Sequence, residues 1–158
     1  EENIPRVVEL MTRTHQLNTT GWLLNGNELS ALLQQRPDSV AITVAELDDR
    51  FGSYGIVGTA IMEKSAMTWR LKYLAVSCRV LGRGIERAFL VFLLRETIAR
   101  GFTHVEAIYR DTGRNKMMRA LYQIVGLQIR GTADDDGALV FRVDQDEVPE
   151  IPSWVRVL

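Results

Sequence analysis

The run Ser77-Cys78-Arg79-Val80-Leu81-Gly82-Arg83-Gly84 sets two glycines, two arginines and the only cysteine of the chain between two apolar stretches. Glycines ahead of a helix let backbone N–H groups approach an anion, because no Cβ stands in the way. The first turn of a helix leaves those N–H groups unpaired, and its dipole favours negative charge there. Arg79 and Arg83 can add charge-assisted hydrogen bonds of the kind that hold phosphate. The run therefore predicts a phosphate-binding turn at 79–84, weighed against a plain turn before a helix, which the spacing alone does not exclude. Cys78, beside Arg79 and near a helix N-terminus, has the surroundings in which a thiol becomes a nucleophile. Its competing role is that of a small hydrophobe at the end of a strand.

A second group lies further on. Asn115, Tyr122 and Gly126 fall at offsets of zero, seven and eleven. Asn115 and Tyr122 are two helical turns apart and share a face. A phenol keeps its proton at neutral pH, so Tyr122 can give one to a leaving thiolate. The structural alternative is an N-capping asparagine followed by a packed tyrosine. His15, in the polar segment "TRTHQLNTTG", can serve as a general base or as a capping side chain. His104 reads as structural, and Asp48, Asp49 and Arg50 as solvated or loop-pairing charges. No metal site is expected.

These residues need elements to hold them. Val7, Val8, Leu10, Met11 and Leu17 recur at roughly helical spacing over 4–17, with Pro5 suited to a first turn. A loop follows, then a short helix opening near Asn27. Residues 39–47 and 56–63 are strand-like around the turn "DDRFGSYG", and "MTWRLKYLAV" reads as a strand entering the centre of a sheet. The strongest helix covers 82–100. A strand over 105–109, a helix over 115–125 ended by Gly126, and the strand "ALVFRV" complete the order. Three early strands in succession predict an antiparallel meander; the later strand–helix–strand step predicts a parallel crossover. The outcome is a mixed α+β sheet with its ligand site at the 76–84 join.

Composition excludes several classes. The 158 residues carry 19 basic and 20 acidic side chains, a net charge of -1, which offers no bulk attraction to nucleic acid or an anionic membrane. The most apolar stretch, 85–99, contains Glu86, Arg87, Arg95 and Glu96 and does not read as a membrane span. One cysteine permits no internal disulfide, and a cytoplasmic setting is expected. Asn18-Thr19-Thr20 matches a glycosylation sequon by chance. We expect one domain over 1–158, belonging to a longer chain.

Taken together, "LAVSCRVLGRGIERAFL" and "NKMMRALYQIVGL" resemble the central strand, pyrophosphate loop and second conserved segment of the GNAT acyltransferase superfamily. The second carries leucine where phenylalanine usually follows the glycine. The resemblance implies a GNAT acyl-CoA N-acyltransferase fold: a mixed, mostly antiparallel sheet flanked by helices, split where a pantetheine arm lies between the strands near 74–76 and 105–109. It implies that the Val76 backbone contacts the arm and that Arg79, Val80, Leu81, Gly82, Arg83 and Gly84 hold the diphosphate of coenzyme A. Asn115 matches an arm-contacting position, and Tyr122 the one that protonates the thiolate.

"TRTHQLNTTG", "LDDRFGSYGIVGTAI", "SCRVLGRGIE" and "RDTGRNKMM" resemble, in that order, the C-terminal half of the FkbH-like proteins, as does the tail "VPEIPSWVRVL". That family joins a haloacid-dehalogenase-type phosphatase domain to a GNAT-like domain. The resemblance implies transfer of a glyceryl unit, derived from an acyl phosphate, to the phosphopantetheine thiol of an acyl carrier protein in polyketide and peptide–polyketide biosynthesis. The expected partners are that carrier and a phosphatase domain in the same chain. Cys78 is a candidate way-station for the acyl group, although the GNAT frame places it nearer the diphosphate than the thioester. His15 stands where the family more often has asparagine, and "DQDEV" at 144–148 mimics the phosphatase signature by chance. Two alternatives stand beside this reading. One is acetyl-CoA-dependent N-acetylation of a small amine, for which "RLKYLAV" offers Arg70 and Lys72 but no carboxylate base. The other is a catalytically silent carrier-docking module.

Overall fold

The computed structural model describes residues 2–133 and 137–158. Helix α1 (Ile4–Arg13) starts with Pro5 in its first turn and buries Val7, Leu10 and Met11. Helix α2 (Gly26–Gln35) opens slightly earlier than the apolar pattern implies, because Asn25 and Glu28 form a reciprocal capping box. The Glu28 N–H donates to Asn25 Oδ1 at 3.0 Å, and the Asn25 N–H to Glu28 Oε2 at 2.7 Å. Strands β1 (Val40–Asp49), β2 (Gly52–Lys64) and β3 (Trp69–Val76) then form the expected antiparallel meander. A 3-10 turn (Cys78–Val80) leads into α3 (Ile85–Ala99), and β4 (His104–Tyr109) returns parallel to β3. Helix α4 (Lys116–Val125), β5 (Gln128–Thr132) and β6 (Leu139–Asp144) complete the fold.

The sheet runs β1-β2-β3-β4-β6-β5, and β3/β4 is its one parallel pair among the described residues. Side chains alternate across it. Leu74 and Val76 face a core shared with Phe89, Leu90 and Leu94 of α3 and with Met118, Leu121 and Tyr122 of α4. Tyr73 and Ala75 face the other side, against Val7 and Met11 of α1 and Leu29 of α2. Helix α3 buries side chains nearly all round, from Ala88 to Thr97, because it lies between the sheet and the C-terminal tail. Arg95 Nε donates to Pro149 O at 2.8 Å and ties the tail down. Each fully buried leucine in this layer contributes about 1.5–3 kcal/mol. Among the described residues, no helix is long and apolar enough to cross a membrane.

Two elements differ from the sequence expectation. The turn in "DDRFGSYG" shrinks to Arg50 and Phe51, since β2 begins at Gly52. Strand β5 has no apolar alternation to reveal it: all five residues are exposed, and it exists by pairing with β6 at the sheet edge.

Candidate functional site

Strands β3 and β4 pair at only two positions, Arg70↔Glu106 and Leu71↔Ala107. Arg70 clamps that end by donating from Nε and Nη2 to Glu106 Oε2, at 2.8 and 2.6 Å. Beyond it the strands part. At the same point β3 carries one extra residue: Met62 pairs with Leu71 and Ile61 with Tyr73, so Lys72 is bulged out. A bulge bends a strand and re-aims its side chain.

The opening between the strands is filled by the chain itself. Asn18 forms an antiparallel bridge with Ala75. The Val76 N–H donates to Leu17 O at 2.9 Å and the Thr19 N–H to Leu74 O at 3.0 Å. On the other side, the Arg110 N–H donates to Thr19 O at 2.9 Å. Residues 17–20 thus form a short wedge hydrogen-bonded to both diverging strands, and Leu17, Asn18 and Thr19 are buried. The Val76 amide expected to meet a pantetheine arm is engaged by Leu17 instead.

Asn115 locks this wedge. Its Nδ2 donates to Asn18 O at 3.0 Å and to Arg110 O at 2.9 Å. Its Oδ1 accepts from the Tyr109 hydroxyl at 3.2 Å and the Thr112 N–H at 3.0 Å. A side-chain amide has two donors and two lone pairs, and all four are used. In this conformation Asn115 has no capacity left for an arm.

Tyr122 lies at the same place. Its hydroxyl donates to Ile108 O at 3.2 Å and is hydrogen-bonded to Thr19. Thr19 Oγ1 accepts the Leu74 N–H at 3.0 Å. Thr19 and Tyr122 thus stand together at the opening, one tied to Leu74 and the other to Ile108. Burial raises the Tyr122 pKa well above that of an ordinary phenol, with the Thr19 bond opposing, and the hydroxyl stays protonated at neutral pH.

The strand-to-helix turn is built differently from the expectation in one respect. Gly84 caps α3 at φ +71° and supplies no side-chain cap to the first-turn amides, and Glu86 sets a carboxylate in that same turn. Gly82 has φ +81° and open space where a Cβ would stand, whereas a Cβ on Gly84 would lie 3.3 Å from the Trp154 indole. Val80 is buried and Leu81 exposed. Arg83, however, turns away from the helix end: Nη1 donates to Asp49 Oδ2 at 2.7 Å and Nη2 to the Tyr54 hydroxyl at 2.9 Å, with the guanidinium 4.7 Å over the Tyr54 ring. The Phe51 N–H, then Arg83, lower the Asp49 pKa, and Asp49 and Tyr54 together raise that of Arg83. Arg83 thus pins the β1–β2 hairpin to the turn, and Arg79, exposed with Nε 3.4 Å from Ser77 Oγ, is the arginine that can still swing toward an anion.

Cys78 is exposed at the start of the 3-10 turn, and His15 is exposed just after α1. No hydrogen bond among the described residues links either one to Tyr122 or Asn115. The sequence reading missed Thr19 and the Asp49–Tyr54 seat of Arg83, while Lys72 was singled out there only as a cation in the place of a carboxylate base. Only the polar run "NTT", whose short side chains bond readily to nearby backbone, signalled the first.

A helix-flanked mixed sheet of six strands, parted between its two parallel members, is the GNAT acyltransferase fold. Solved structures bear this out. The ribosomal-protein-S18-alanine N-acetyltransferase of Escherichia coli is similar over 99% of this chain and 94% of its own, with TM-score 0.64 and 17% identity. Spermidine N-acetyltransferase from Vibrio cholerae, in complex with CoA and spermine, covers 93% and 92%, with TM-score 0.67 and 10% identity. A GNAT superfamily phosphinothricin acetyltransferase from Sinorhizobium meliloti, in complex with AcCoA, covers 90% and 83%, with TM-score 0.63 and 15% identity. No protein-family model matches the chain, and no curated protein matches it. At these identities the likeness is one of fold.

Proposed function

We propose that this chain is an acyltransferase domain of FkbH type, which passes a glyceryl-type acyl group to the phosphopantetheine thiol of an acyl carrier protein. The observation that carries the reading is Tyr122: a buried phenol that keeps its proton, aimed at the point where β3 and β4 part. The ordered anchors "TRTHQLNTTG", "SCRVLGRGIE" and "RDTGRNKMM" support the particular family, and the CoA-bound neighbours support a pantetheine-bearing ligand. The diphosphate end of coenzyme A fits the structure, since the glycine-capped α3 terminus has no side-chain cap and Arg79 stands beside it. The arm end fits only once residues 17–20 leave the opening. Amine acetylation is the weaker reading because the bulged β3 position holds Lys72 rather than a carboxylate that could deprotonate an ammonium.

The filled opening favours a second reading from another class, a silent docking module that recruits the carrier to a phosphatase partner. One experiment separates the three. The chain, alone and within its full-length enzyme, is incubated with acyl donor and either carrier protein or an amine panel, and products are read by mass spectrometry. The acyl-transfer reading requires a mass increase on the carrier thiol that Tyr122→Phe slows by about 10²-fold or more. Acylated amines with an unmodified carrier would overturn it. Loading that survives both Tyr122→Phe and Cys78→Ser, yet stops when the domain is deleted, would establish docking.

A further inference from the structure

The outer face of α4 departs from what an amphipathic surface helix needs. Its inner face buries Met118, Leu121, Tyr122 and Val125, and polar residues are the ordinary choice for the other side. Met117, Ala120 and Ile124 stand there instead, at offsets of zero, three and seven, so they form one apolar stripe along the solvent side. Met117 is 46% and Ile124 68% exposed. A row of this kind is more than the scattered apolar side chains that any surface shows.

A second stripe runs beside it. Lys116, Arg119 and Gln123 follow the same spacing, displaced by one residue, and Arg114 precedes the helix. Residues 112–125 thus hold three cations and no acidic residue, in a chain of net charge -1. Among the described residues, none of the three cationic side chains makes a hydrogen bond or an ion pair. Their placement works against the helix: positive charge at an N-terminus opposes the macrodipole, and the first turn of α4 has no acidic residue to offset it. Cations kept where the fold disfavours them, with no partner inside the chain, point to a partner outside it. Arg119 also stands near the opening. Burial and then Asp111 raise the Tyr109 pKa, Arg119 opposes them, and the Tyr109 hydroxyl is the one that holds Asn115.

We infer that the outer face of α4 is where an acidic protein domain carrying the phosphopantetheine arm docks. An apolar surface of that domain covers the Met117–Ala120–Ile124 stripe, and its carboxylates meet Arg114, Lys116 and Arg119. Charge complementarity selects this occupant. Nucleic acid has no use for the apolar stripe and is disfavoured by the net charge. A second copy of this chain, seated by a two-fold axis, would set the same three cations against one another. The face begins one residue after Asn115, which locks the wedge between β3 and β4, so a domain seated there holds its arm at the entrance. The inference rests on the acyl-transfer reading for the identity of the carrier and adds the surface that receives it.

The test titrates the ¹⁵N-labelled chain with a small acidic acyl carrier protein, with and without its phosphopantetheine. Both forms are expected to shift the amides of 114–124, with apparent affinity falling as salt is raised. Lys116→Glu combined with Arg119→Glu is expected to weaken binding at least about tenfold, and Ile124→Ala about fivefold. Lys116→Arg should retain it. These side chains are exposed, and glutamate near a helix N-terminus suits the dipole, so the variants keep the fold, which their amide spectra verify. In the full-length enzyme the double variant should raise KM for the carrier and leave kcat unchanged. Shifts confined to other faces, unchanged affinity in the double variant, or an equal loss of affinity for free coenzyme A would overturn the inference, the last because the cations would then serve a nucleotide phosphate. Carrier loading that ignores the double variant sinks the docking face alone. Carrier binding through 114–124 without any loading sinks the acyl-transfer reading and leaves the face.

Discussion

At the scale of single residues, the opening between β3 and β4 is governed by side chains whose hydrogen-bonding capacity is exhausted. Asn115 is fully buried and serves Asn18, Arg110, Tyr109 and Thr112 at once. Asn115→Ala would leave a phenol, an amide N–H and two carbonyls in search of partners. Burying an unpaired polar group costs about 1–3 kcal/mol, and part of this set reaches water once the wedge loosens. A net loss of about 2–4 kcal/mol is expected, measured as a lower urea midpoint with unchanged slope. Asn115→Asp should not rescue it, because a carboxylate has no donor for the Asn18 and Arg110 carbonyls. Rescue by Asp would mean that the asparagine matters only as an acceptor.

At the scale of elements, residues 17–20 act as a removable strand. They make the bonds to the Leu74 carbonyl and Val76 amide that a ligand lying along β3 would make. If an arm enters, the Thr19 and Arg110 amides lose their acceptors. Hydrogen exchange at those two amides is therefore expected to accelerate when coenzyme A is added at saturation, while core amides of α3 stay protected. Coenzyme A that raises the melting temperature yet leaves Thr19 and Arg110 slow would show that the arm binds outside the opening. This element also marks the limit of what the sequence reveals. The meander, the parallel crossover, α3 and the glycine turn were legible because apolar period and turn chemistry are local signals. The wedge was not, since nothing in "LNTT" states that its partners lie 55 residues downstream in β3. The seat of Arg83 was hidden for a related reason: its spacing to the glycines points to an anion, while the Asp49 and Tyr54 that hold it come from the β1–β2 hairpin. Strand β5, polar throughout, depends wholly on its pairing with β6.

At the scale of the whole molecule, the pH range of stability follows from which groups the fold holds in one protonation state. Glu9, Asp49 and Asp144 have lowered pKa values, from Arg6, from the Phe51 N–H with Arg83, and from Arg142 respectively. Their contribution is present above the ordinary carboxylate range and is lost as pH falls through and below about 4. All three are exposed to solvent screening, so the acid limb is expected to be shallow and salt-sensitive. The alkaline limb has a different origin. Tyr73 and Tyr122 are fully buried, and burial raises both phenols. The folded chain keeps their protons after the unfolded chain has begun to release its own, so stability is flat below about pH 10 and falls above it. The two tyrosines can be separated by their partners. The Tyr122 hydroxyl is bonded to Ile108 and Thr19, whereas that of Tyr73 has no partner among the described residues. Tyr73→Phe is therefore expected to leave neutral stability unchanged or slightly higher, because a desolvated hydroxyl is removed, while making the fall above pH 10 less steep. Tyr122→Phe should flatten the same limb but lower stability at neutral pH by about 1 kcal/mol, since Thr19 and Ile108 lose their shared partner. Melting temperatures of the two variants across pH 7–11.5 check this pair of opposite signs at neutrality, and a Tyr73→Phe variant destabilised at pH 7 would show that its hydroxyl is bonded after all.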